Sequence, residues 1–261
     1  QLVIVWAGDA GSLRLAKLLR EKAPGKKVLI VETNTIPYGT RLIGPAKCNL
    51  FLTTPRVLLS AFPARETKKT AGMIKDVFPM VTAAQNVLSV SFSNPNPTVH
   101  PPASLLNVGC IQYSKGDFYL YRQGITEAVA QVIKALHDET ASVARAYGFK
   151  IAEYKDEDFR TTGTIMGAEF KAPFDTIGVL AEVKGPSTLQ DRYITEDIPY
   201  GLTHRSQLGK KVNVPTPIID ATINIGSVVC QKDFWEGRTL EDLGLDGKTK
   251  EEIIRYVVEG K

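Results

Sequence analysis

Cysteine is scarce: Cys48, Cys110 and Cys230 are the three in 261 residues. They are odd in number, far apart and in no metal-ligand spacing, so neither a disulfide framework nor a metal site is expected. Buried thiols in a reduced, cytoplasmic protein fit this usage. Long apolar runs are lacking too. No stretch approaches the ~18 residues that a membrane span needs, and no signal peptide is visible. Charge of one sign is also missing. The net charge is +4, and the basic residues are interleaved with acidic ones, so the basic face that nucleic-acid binding uses does not form. No GxGxxG follows a strand, and neither GxxxxGK[ST] nor HExxH occurs. The turn GDAGS after the first strand has the right place for a dinucleotide loop but too few glycines.

What remains is ordinary globular composition, 43% hydrophobic and 23% charged. The length suits one large domain or two small ones. The chain opens on Gln1 and directly on the apolar run LVIVWA, which leads us to expect further sequence upstream.

The first ninety or so residues alternate strands and helices. Leu2–Ala7 and Lys27–Thr33 are apolar runs of the kind that suits strands buried on both faces. Between them SLRLAKLLREKAP has helical spacing, and Pro24 and Gly25 stop it. Residues 49–53 and 57–62 predict two shorter strands, 66–78 a helix and 87–92 another strand. This βαβ rhythm predicts a parallel sheet, incomplete and with one bare edge. SNPNPTVHPP then places four prolines in ten residues. Beyond it the pattern is helical. Residues 124–147 predict one helix of about six turns, and further helices are expected near 175–183, 196–211, 216–230 and 249–259. The fold class is therefore α/β followed by all-α. Residues 1–95 form part of a Rossmann-type domain and 96–261 a helical domain. The apolar stripe on 124–147, with the apolar 216–230 segment, suggests a homodimer.

Several residues could carry chemistry. His100 lies in a proline-framed turn, which suits either a positioned acid–base group or a structural histidine. His137 and His204 read as solvated surface residues. Asp220 follows TPII in an apolar stretch, where a charge is expensive unless paired. It suits a helix N-terminus, and electrostatic work there is the alternative. Glu196 and Asp197 form an acidic pair after Arg192, with a capping box around Thr195 as the alternative. Asn34 and Thr35 follow a strand, where polar groups face a cofactor crevice or bond the loop.

Six segments together resemble the octopine/nopaline (opine) dehydrogenase family: KVLIVETNTIPYGTR (27–41), NVLSVSFSNPNPTVHPPASLLNVG (86–109), FYLYRQGIT (118–126), DRYITEDIPYGL (191–202), NVPTPIIDA (213–221) and GRTLEDLGL (237–245). They occur in family order and run nearly the length of the chain. The resemblance implies a Rossmann domain, a helical substrate domain and catalysis between them. It implies NAD or NADP as cofactor, and an amino acid and a 2-oxo acid such as pyruvate as substrates. It also implies a histidine–aspartate pair, in which His100 of NPTVHPP and Asp220 of TPIID take the two places, within hydrogen-bonding reach. Thr35, with Asn34 beside it, occupies a position used near the nicotinamide. Asn94 and Asn107 are supporting polar groups for substrate. Two departures stand out. The dinucleotide fingerprint is not in this sequence, and Asp9 or Ala10 stands where some members have a substrate-contacting glutamine. Two other readings are a truncated relative acting as a dimerisation or small-molecule module, and another Rossmann-plus-helical 2-oxo acid reductase. The second would rely on a lysine that no comparable motif here supplies.

Overall fold

The structure is a computed structural model that describes residues 1–152 and 182–260. The helix expected near 175–183 falls, but for its last two residues, outside the described residues. The chain divides into two compact units. The first comprises Gln1–Asn94, Phe149–Ile151 and Glu241–Lys261; the second comprises Pro95–Gly148 and Ala152–Leu240.

The first unit is α/β. Strand β1 (Leu2–Val5) leads through helix α1 (Gly11–Lys22) to β2 (Leu29–Thr33). The helical crossover lets β2 run parallel to β1, with Leu2 opposite Leu29. The next connection is a hairpin, β3 (Tyr38–Gly44) with β4 (Lys47–Thr53), which forms a separate two-stranded sheet. With no crossover helix in the path, β5 (Val57–Phe62) returns antiparallel to β2, Ile30 facing Phe62. Helix α2 (Thr67–Lys75) then makes a second crossover, and β6 (Val81–Ala83) lies parallel to β5. The sheet order is β1-β2-β5-β6. The sheet is thus mixed, where the βαβ rhythm alone predicts a parallel one. Its core is Val31, Val57, Leu59, Ala61, Ile74 and Val81.

Residues 87–92, read from their apolar run as a strand, form helix α3 (Val87–Phe92) instead. All six are buried, so no periodicity distinguishes the two states. The cap decides. Asn86 Oδ1 accepts the Ser89 N–H at 2.9 Å, and Ser89 Oγ accepts the Asn86 N–H at 3.1 Å. This is a capping box that a strand could not close.

The C-terminal segment also departs from the expected division, which put all of 96–261 in the helical domain. Helix α10 (Lys250–Glu259) buries Ile253, Tyr256 and Val257 at i, i+3, i+4 spacing. Tyr256 packs 5.1 Å from the Phe62 ring, and its hydroxyl accepts from Arg20 at 2.8 Å. These contacts join residues 241–260 to the first unit.

The second unit is helical. Its described elements are α4 (Asn96–Leu105), α5 (Val108–Ser114), α6 (Glu127–Ala146), α7 (Arg192–Thr195), α8 (Thr203–Lys211) and α9 (Pro217–Cys230). Two π-helical turns, Leu120–Gly124 and Asp197–Leu202, interrupt them. Helix α6 starts at Thr126, whose side chain accepts from the Val129 N–H. Its apolar stripe lies inside its own unit, Val129, Ala130 and Ile133 in one cluster and Leu136 in another. His137, on the same helix, is 7% exposed, and His204 in α8 is fully buried. Both read as surface residues from sequence. For His204 the reason is that α8 is buried on most sides despite its polar composition, so no amphipathic pattern marks it. Among the described residues, no helix is long and apolar enough to cross a membrane.

Two expected outcomes follow from these packings. Asn86→Ala should lower stability by about 1–2 kcal/mol, the cost of a lost N-cap, as measured by urea denaturation. The second concerns pH. Burial holds the His137 imidazole down at about 4 and pushes that of His204 well below the usual range. In the unfolded chain both rings bind a proton near pH ~6.5. Between these limits the unfolded state holds more protons, so stability is full above that pH and falls as pH drops. The slope should be up to ~1.4 kcal/mol per pH unit per histidine. Thermal melts from pH 7 to pH 5 should show the decline, and His137→Gln should flatten it. An identical slope in the variant would remove His137 as a source.

Candidate functional site

His100 lies in the second turn of α4, a helix with Pro97 in its first turn and Pro101 and Pro102 inside it. It is a helical residue, where the proline spacing alone suggests a turn. Prolines 101 and 102 lack N–H groups, so the carbonyls of Pro97 and Thr98 have no helical donor. The imidazole is 6% exposed. Its Nδ1 is 2.7 Å from Asp197 Oδ2, and its Nε2 is 2.9 Å from the Tyr121 hydroxyl. Tyr193 stacks on the ring at 4.0 Å between centroids.

Both hydrogen-bond partners sit in π-helical turns, elements that recur at functional sites. The Leu120–Gly124 turn closes through the Gly124 N–H, which reaches back to the Tyr119 carbonyl at 3.2 Å. Asn107 braces it. The Asn107 amide donates to the carbonyls of Ala103 and Gly124, each at 2.8 Å, tying the turn to α4. Asp197 opens the other turn and is itself buried. Burial pushes the Tyr121 phenol well above the usual tyrosine range, with Tyr193 and the charge of Asp197 adding to the effect. Arg192 lies over the Tyr193 ring, 4.9 Å from its centroid.

Asp220 is placed differently from the expectation that it pairs with His100. It lies in the first turn of α9, where Ser206 donates to its Oδ1 at 2.5 Å and Thr216 at 3.1 Å. Lys210 Nζ is 3.9 Å from the other oxygen. Glu139 completes this helix start by accepting the N–H groups of Ile218 and Ile219 at 2.8 and 2.9 Å. The carboxylate at His100 is Asp197, the acid after Glu196 that also reads as part of a cap. Its signal in the sequence is the following Ile198 and Pro199, which are buried with it. Asp220's apolar neighbours are the buried face of a helix whose polar side carries Asp220.

In the first unit the remaining candidates gather at the carboxyl ends of β1 and β2. Asn34 Oδ1 accepts the Leu58 N–H at 2.9 Å, and its amide donates to the Ser93 carbonyl at 3.3 Å. Thr35 is buried, and its carbonyl accepts the Thr33 hydroxyl at 2.8 Å. Asn94 donates to Asp9 Oδ2 at 2.7 Å. The turn between β1 and α1 is strained: Ala7, Asp9 and Ala10 have φ of 49°, 46° and 64°. Glu32 is buried beneath it and accepts from Ala10 N at 2.6 Å and Ser12 N at 2.9 Å. A Cβ on Gly8 would come within 2.7 Å of Val5 and 2.9 Å of Glu32. A dinucleotide pyrophosphate needs those N–H groups free and no negative charge nearby. The Gly8–Ser12 turn therefore does not fit one. Among the described residues, no group of three or more His, Cys, Asp or Glu could hold a metal ion.

Residues 83–230 match the family model of the NAD/NADP octopine/nopaline dehydrogenase alpha-helical domain. An opine dehydrogenase of Arthrobacter sp. (strain 1C) is 33% identical over 255 residues, covering 95% of this chain and 69% of that relative. A vitopine synthase of Allorhizobium ampelinum is 26% identical over 266 residues, covering 97% of this chain and 69% of its own. Among solved structures, an octopine dehydrogenase in complex with NADH and agmatine has a TM-score of 0.68 at 18% identity, covering all of this chain and 72% of that one. The match over 148 residues of helical domain, with a relative one-third identical along almost the whole chain, makes this protein a member of the opine dehydrogenase family, an NAD(P)-dependent oxidoreductase acting on CH–NH donors.

Proposed function

We propose that this chain serves the reductive condensation of an amino acid with a 2-oxo acid such as pyruvate, and the reverse oxidation of the secondary amine. The observation that carries the reading is the buried contact between His100 and Asp197 at 2.7 Å. An ionised carboxylate only accepts hydrogen bonds, so it holds the imidazole as the Nδ1–H tautomer and supports a positive ring. Nε2 is then the nitrogen that can gain and lose a proton. In the reducing direction the imidazolium supplies a proton to the oxygen that leaves the oxo carbon; in the oxidising direction the neutral ring takes one. Arg192, over the Tyr193 ring that stacks on His100, gives a cation suited to the oxo acid's carboxylate.

NADH or NADPH supplies the hydride when bound. The Gly8–Ser12 turn has no part in holding its phosphates. Asn34 and Thr35 are the cofactor-side residues of this reading. Asn94, with Asp9, is the substrate-side pair, and Asn107 acts through the turn that carries Tyr121. We assign the carboxylate role to Asp197 and a helix-stabilising role to Asp220. The three cysteines are free, with Cys230 buried and Cys48 and Cys110 exposed rather than buried as the sequence suggests, and free thiols suit the cytoplasm. A homodimer would use the exposed Ile225 and Val228 of α9, since the α6 stripe is buried.

Steady-state kinetics of the intact enzyme test the assignment. His100→Ala should lower kcat by about 10²-fold or more. Asp197→Asn should lower it as well, because an amide can hold the ring but cannot balance its charge. Asp220→Asn should lower stability by up to ~1 kcal/mol, the scale of an acid at a helix start, with turnover near wild type. Full turnover in His100→Ala, or loss of turnover in Asp220→Asn with Asp197→Asn active, would overturn the reading.

A further inference from the structure

We infer that Tyr121 is the group through which His100 exchanges protons with the substrate; this rests on reading His100 as the acid–base residue. An imidazole has two in-plane nitrogens, each with one hydrogen-bonding position. Asp197 takes the first at 2.7 Å and Tyr121 the second at 2.9 Å. Tyr193 covers a ring face at 4.0 Å. The proton shared with Asp197 is the one that fixes the tautomer, so exchange happens at Nε2. While the contact with Tyr121 stands, a proton reaches or leaves Nε2 only by way of the phenol oxygen.

The phenol suits that passage. It has one proton and two acceptor positions, so it can receive on one side while it donates on another. Its hydroxyl meets His100 at 2.9 Å, on the imidazole whose face Tyr193 covers. Its surroundings disfavour the phenolate, so it passes a proton on without ending as the charged form. Asn107 and the backbone of the π-helical turn hold it in place.

After the amino acid nitrogen has added to the oxo carbon, the C–O bond breaks and its oxygen takes the Tyr121 proton, leaving as water. The Nε2–H bond breaks as the phenol oxygen takes that proton in turn. The products are an iminium, water, an intact phenol and a neutral imidazole. The oxidising direction runs both transfers backwards.

The test uses the intact enzyme in single turnover, with NAD(P)H prebound and pyruvate plus amino acid added, in mixtures of H2O and D2O. Two protons in flight should give a curved dependence of rate on deuterium fraction in the wild type. Tyr121→Phe, which keeps the ring, should lower the rate by about 10-fold to 10²-fold, with KM for both substrates within a few-fold. The residual rate should depend linearly on deuterium fraction. A linear wild-type dependence would overturn the relay whether or not the variant folds. So would a folded Tyr121→Phe enzyme with wild-type turnover. Should His100→Ala keep wild-type turnover, the acid–base reading itself fails; should it be inactive while Tyr121→Phe is unimpaired, only the relay fails.

Discussion

The contact between His100 and Asp197 sets what the rest of the helical unit has to do. A carboxyl group with 6% of its side chain exposed needs a partner that is held in place. The imidazole is held by α4, which presents it from its second turn, and by Tyr193, which closes one face. The carboxylate is held by a π-helical turn immediately after α7. The second π-helical turn brings Tyr121 to the other ring nitrogen. Asn107 locks that turn to α4. Removing Asp197 or Tyr121 leaves a buried ring nitrogen without its partner, which costs more than the bond itself contributes.

Both units answer the problem of unpaired N–H groups at a helix start with an internal carboxylate. Glu32 does so at α1 and Glu139 at α9. At α9 burial raises the Glu139 carboxyl while the two N–H groups lower it. At α1 the same device has a chemical consequence. The strand–turn–helix has the outline of a phosphate loop, but the N–H groups of Ala10 and Ser12 already serve Glu32. The left-handed Ala7, Asp9 and Ala10 are tolerated because that carboxylate fastens the turn from below. One result is a buried Asp9 held against Asn94 at the carboxyl end of the sheet, where ligands bind in open α/β folds.

Local patterns in the chain already determined a good deal: the apolar runs of β1, β2 and β5, the 3.6-residue stripe of α6, and the helix at 216–230 opened by Pro217. Each depends on neighbours in sequence, and each is legible for that reason. The motif order was enough for the family. Tertiary structure decided the rest. Residues 87–92 are apolar throughout, so only the Asn86 cap and the space beside the sheet made them helical. The direction of β5 depended on whether a helix or a hairpin preceded it. His137 and His204 lie among charged and polar neighbours in sequence, yet packing buried them. The choice between Asp197 and Asp220 was the plainest case. Asp220 follows an apolar stretch and Asp197 belongs to an acidic pair, and no spacing relates either to His100. The carboxylate that meets the imidazole is chosen by how helices pack across nearly a hundred residues of chain, a distance over which sequence neighbours exert no force on one another.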